Sequence, residues 1–156
     1  IIADKLDDLY ASIPRQAYFV IYEQEAHKKI HEGTTIEQLN TTYLKNLKEQ
    51  FGNSIELPKQ FQHEWLSIPH IYHTPYYCYA YSFGNLLTLA LYQRYKEEGQ
   101  PFVKDYLQFL SHGGSKKPAA IAEELNIDFN NKQFWKAGYE QIQQLVEQLK
   151  TSVRQL

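Results

Sequence analysis

The chain has 156 residues, 43% of them hydrophobic and 22% charged, with a formal net charge of −2. That is the size of one domain, long enough to bury about two thirds of the surface its unfolded chain exposes. The near-neutral balance excludes the basic footprint of a nucleic-acid binder, and no run of about 20 apolar residues is present to span a membrane.

Apolar residues recur at helical spacing almost from end to end. Ile2, Leu6, Leu9 and Ile13 mark a first helix over Ile1 to Ser12. Pro14 suits the first turn of a second helix, with Ser12 as its candidate cap, running to about Glu32 and stopping at Gly33. Thr34-Thr35-Ile36-Glu37-Gln38 holds two overlapping capping boxes and starts a third helix, closed by Gly52. Pro58 to Leu66 reads as a short helix, and Ser67 to Pro75, with two prolines, as an ordered loop. Tyr76 to about Glu98 predicts one long helix of about 34 Å at 1.5 Å per residue. Gly99 stops it and Pro101 restarts a helix that ends at His112-Gly113-Gly114. A short helix from Pro118 to Leu125, a turn over Asn126 to Asn131, and a last helix from Lys132 to about Val153 complete the chain. Alternating strand patterns and hairpin signals are missing. The reading is all-α, seven or eight helices in a single helical unit over 1–156. The absence of methionine, even at position 1, and the abrupt Ile1-Ile2-Ala3 suggest a piece of a longer protein. No secretory leader is visible, and the lone Cys78 suits a reducing compartment, so the expected location is cytoplasmic.

Candidate chemistry is sparse. His27 and His31 lie four apart on a predicted helix with Glu23 one turn earlier, a spacing zinc can accept. The metalloprotease form needs a glutamate directly after the first histidine, where Lys28 stands. His63-Glu64 begins correctly, but Ser67 replaces the second histidine. Cys78 sits among aromatics and reads as a small buried hydrophobe rather than a nucleophile. Gly113-Gly114-Ser115-Lys116-Lys117 lacks the spacing of a phosphate loop and reads as a helix end and turn.

The informative stretch is Ile68 to Gly84. Five of the thirteen tyrosines fall within Tyr72 to Tyr81, with His70 and His73 beside them. A core would more cheaply use Phe or Leu, because each buried hydroxyl needs a partner. On a continuous helix Tyr76 and Tyr79 share one face, and Tyr77 and Tyr81 another. Phenol and imidazole groups are neutral donors suited to an oxyanion or to substrate carbonyls. The bland alternative is an aromatic helix buried between neighbours.

His70 to Gly84 resembles the His/Tyr substrate loop and following helix of the oligoendopeptidase F family, relatives of thimet oligopeptidase among the zinc peptidases. Arg15-Gln16, Phe19, Tyr22-Glu23 and His27 resemble that family's helix downstream of its zinc site. Phe109 to Ser115, Pro118, Leu125 to Phe129 and Phe134-Trp135 resemble its C-terminal tail. The resemblance implies the C-terminal helical portion of a zincin-type catalytic domain, in a parent enzyme that hydrolyses short peptides with zinc. The HExxH segment and the downstream glutamate ligand would lie upstream of Ile1, so this chain is expected to bind no metal and to be inactive alone. The missing N-terminal part of the same protein would be its partner. By the same resemblance Tyr76 is the oxyanion donor, His70 the histidine that contacts substrate with His73 as the alternative, and Tyr79 and Tyr72 substrate contacts. The rival expectation is a non-catalytic helical interaction domain whose tyrosine cluster is core.

Overall fold

The structure is a computed structural model and describes residues 1–155. Among them stand eight α-helices and one 3₁₀ helix, with no strand: α1 (Ile2–Ser12), α2 (Pro14–His31), α3 (Ile36–Phe51), the 3₁₀ helix (Lys59–Ser67), α4 (Pro69–His73), α5 (Tyr79–Glu98), α6 (Gln100–Ser111), α7 (Pro118–Glu124) and α8 (Lys132–Arg154). The all-α reading holds.

Local chemistry explains most boundaries. Thr35 caps α3 by accepting the Gln38 N–H, while the Gln38 side chain accepts the Thr35 N–H at 2.9 Å. Gly52 ends the helix at φ 55°, a conformation only glycine adopts freely. Three expectations need correction. Ser12 does not cap α2: the chain stays helical through Ile13, whose N–H already bonds the Leu9 carbonyl, so no extended cap residue intervenes. The stretch Ser67 to Pro75 is not all loop, because Pro69 opens α4 at the position where a missing N–H costs nothing. The long helix begins at Tyr79 rather than Tyr76, since Tyr76 takes φ 62° and cannot be part of it.

The described residues pack as two compact units, Asp7–Phe83, and Ile1–Leu6 with Gly84 onward. In the first, Phe19, Tyr22 and Ala26 of α2 meet Leu39, Tyr43 and Leu47 of α3, with Trp65, Ile68 and Cys78 closing the cluster. Leu47 is 1% exposed, and burying such a side chain contributes about 1.5–3 kcal/mol. The Trp65 indole donates to Asn40 Oδ1 at 2.9 Å, so the buried N–H is satisfied. In the second unit Leu91, Phe102, Ala122, Leu125 and Ile127 form the core. Arg94 donates to the Leu125 carbonyl at 2.7 Å and lies over the Phe102 ring, tying α5 to the end of α7. No described helix is long and apolar enough to cross a membrane.

Candidate functional site

Every residue that the sequence marks as chemistry-bearing around Ile68 to Tyr81 lies in the unit Asp7–Phe83. α4 and α5 are joined by a turn whose centre is Tyr76. A tyrosine at positive φ costs about 1–2 kcal/mol, because its Cβ crowds the following carbonyl. Its backbone N–H donates at 2.8 Å to Glu23 Oε1, from α2, 53 residues earlier. Glu23 is 1% exposed. A hydrogen bond to a charged acceptor is worth about 1.5–3 kcal/mol, enough to offset the strained turn. The Tyr76 ring lies against His27, centroids 5.1 Å apart, and Cys78, two residues on, is fully buried in the core. Burial and the nearby Glu23 charge push the Cys78 thiol above its ordinary range, which removes it as a nucleophile.

The phenols themselves are not core. Tyr76 is 42% exposed and Tyr79 59%, and Tyr72 and Tyr77 are also exposed. The expectation of a tyrosine cluster buried between neighbours therefore does not describe them. The expected sharing of one helix face by Tyr76 and Tyr79 is corrected too, since Tyr76 precedes α5. The second pair behaves as the spacing predicts: the Tyr77 and Tyr81 rings meet edge to face at 5.6 Å. His70, half-buried, joins them, its Nε2 2.9 Å from the Tyr81 hydroxyl and its ring stacked on Tyr77 at 6.0 Å. His73 is exposed at the end of α4. Tyr72 stacks on Trp65 at 6.3 Å, and partial burial raises its phenol above the ordinary range.

The same unit holds a second polar link that sequence spacing did not reveal. Arg15 pairs with Glu64, and the Tyr43 hydroxyl donates to the other Glu64 oxygen at 2.8 Å. Burial, reinforced by that bond, raises the Tyr43 phenol well above its ordinary range, and burial does the same for Tyr22. Glu64 thus ties α2, α3 and the 3₁₀ helix together. Its only signal in the sequence was a failed HExxH beginning, and no local pattern connects it to Arg15 or Tyr43.

Glu23 and His27 approach to 3.8 Å, but Glu23 Oε1 is engaged by the Tyr76 N–H. Among the described residues no group of three or more His, Cys, Asp or Glu could hold a metal ion. In the unit from Gly84 onward, Gly113 to Lys117 follows the end of α6 as a turn, and Glu124 bonds His112 Nε2 at 2.7 Å and pairs with Lys116 at 2.5 Å. Those two partners hold the Glu124 carboxyl below the usual carboxylate range.

Residues 1–141 match the model of peptidase family M3. The chain belongs to that family. It is 34% identical over 130 residues to an oligoendopeptidase F homolog of Borreliella burgdorferi, a match covering 82% of this chain and 22% of that protein. It is 29% identical over 146 residues to oligopeptidase PepF of Bacillus subtilis, covering 92% and 22% respectively. In fold it follows the crystal structure of oligoendopeptidase-F from Enterococcus faecium, with a TM-score of 0.89 at 23% identity over 99% of this chain and 30% of that one. The chain thus spans about a fifth of the length of the relatives it matches.

Proposed function

We propose that this chain is the C-terminal part of the catalytic domain of a zinc-dependent oligoendopeptidase that hydrolyses short peptides in the cytoplasm. Its contribution is the His/Tyr wall of the substrate channel. Family membership and the one-fifth coverage support the parent activity. The exposed side chains of Tyr76, on a turn anchored by Glu23, and of Tyr79, at the start of α5, are the observation that supports the wall. The zinc of such an enzyme, and the remainder of the protein that holds it, lie outside this chain.

Peptide hydrolysis passes through a tetrahedral species whose former carbonyl oxygen carries negative charge. Tyr76 supplies a neutral O–H donor for that oxygen, already oriented before substrate arrives, so little reorganisation is needed as charge develops. Tyr79 and Tyr72 offer further phenols to substrate carbonyls. When His70 Nε2 accepts a hydrogen bond from the Tyr81 hydroxyl, Nδ1 carries the imidazole hydrogen and becomes a donor to substrate. His73, exposed at the end of α4, is the second candidate for that contact.

The test is Tyr76→Phe in the full-length enzyme. Loss of one such donor lowers turnover about 10²–10³-fold with little change in KM. Unchanged turnover refutes the oxyanion role.

A further inference from the structure

Glu23 is the one fully buried carboxylate of its unit, and the proposed reaction does not use it. Its Oε1 accepts the Tyr76 N–H at 2.8 Å, and its Oε2 is buried without a hydrogen-bond partner. Burying an ionisable group this deeply works against folding unless its contacts compensate. A glycine at position 76 would take φ 62° freely and need no such anchor. The chain instead keeps a phenol there and supplies the anchor. His27, one turn along α2 from Glu23, packs its ring on the same tyrosine, and Cys78 fixes the outgoing backbone in the core. Three separate constraints thus converge on one residue, two on its backbone and one on its ring. Two of them come from the same face of α2.

We infer that Glu23 is a positioning residue, whose buried carboxylate holds Tyr76 in the left-handed turn and so sets where the phenol stands. The inference rests on the substrate-wall reading of Tyr76. The mechanism is the placement of an acceptor oxygen at the end of a side chain of fixed length. Gln keeps that oxygen at the same reach without the charge; Asp keeps the charge but withdraws the oxygen by one methylene; Ala removes it.

The experiment compares Glu23→Gln, Glu23→Asp and Glu23→Ala in the full-length enzyme. Hydrogen exchange at the Tyr76 amide is read against the Tyr43 amide, buried within α3, as the reference for the stability of the unit. Asp and Ala are expected to lower kcat about 10- to 100-fold with KM nearly unchanged. They should speed Tyr76 exchange about tenfold or more without moving Tyr43. Gln is expected to stay close to wild type on both readouts. Should Ala fail to fold, the order of Gln over Asp decides alone. Asp equal to or better than Gln, or Tyr76 exchange that moves only together with Tyr43, overturns the inference. If Tyr76→Phe keeps full turnover while the exchange order holds, the oxyanion reading falls and the positioning role stands. The converse pattern removes the positioning role and keeps the donor.

Discussion

The same substitution, Gly to Ala, should have opposite consequences at two helical positions. Gly84 lies within α5, and a Cβ built there meets nothing within 4 Å. Alanine at that site restricts the unfolded chain and favours the helix, a gain of about 0.5–1 kcal/mol. Gly138 lies within α8 and is buried, and a Cβ there falls 2.9 Å from the Leu86 carbonyl oxygen and 3.6 Å from the Ala90 nitrogen. Carbon–oxygen contacts ordinarily settle at about 3.3–3.6 Å, so the shortfall is about half an ångström. The atom in the way is helix backbone, which cannot rotate aside as a side chain does. α8 must move off α5, and overpacking of this kind costs about 1–3 kcal/mol. The helix-propensity gain is common to both sites and cancels in the comparison. Gly84→Ala should therefore exceed Gly138→Ala in stability by about 1–3 kcal/mol. Urea unfolding of both variants, with equal denaturant slopes, measures the difference. Midpoints that rise equally in the two variants would refute the close approach of the two helices at Leu86.

Two further outcomes follow from the unit Asp7–Phe83. Tyr43→Phe deletes the hydroxyl that donates to Glu64 and should cost about 1.5–3 kcal/mol in urea unfolding, near the low end because Arg15 still pairs with that carboxylate; unaltered stability would show the bond to be dispensable. The Cys78 thiol, buried and raised above its ordinary range, should resist thiol reagents in the native protein and react promptly once urea unfolds it. The sign follows for pH: at alkaline pH the unfolded thiol ionises first, so this group opposes folding as pH rises. Rapid stoichiometric labelling of the native protein would contradict the burial.

What the sequence made legible is what short-range chemistry decides. The Thr35–Gln38 box and the glycine stop at Gly52 act within four residues, and both lie where the pattern places them. The Tyr77–Tyr81 pair is a one-turn relationship and survives for the same reason. The Tyr76 turn was not legible, because nothing local favours a tyrosine at positive φ. Its anchor is a carboxylate 53 residues away, and the four-residue spacing of Glu23 and His27 says nothing of that bond. Likewise Ser12 carries the residue type of a cap, yet the chain never leaves helical geometry at Ile13. The family resemblance pointed to Tyr76 and His70; the neighbours that hold them, Glu23 and Tyr81, emerge only from the packed structure.

The chain's two tryptophans are divided between its two units. Trp65 lies in the core of Asp7–Phe83 with its indole N–H on Asn40, and Trp135 lies on α8 with its N–H on the Phe129 carbonyl at 2.8 Å. Indole emission responds to the polarity around the ring, and each ring sits in a hydrogen-bonded, partly or fully dry setting. The protein therefore carries a separate intrinsic fluorophore for each unit. Stepwise or concerted loss of the two signals during denaturation distinguishes independent melting from a single cooperative transition, without any added label.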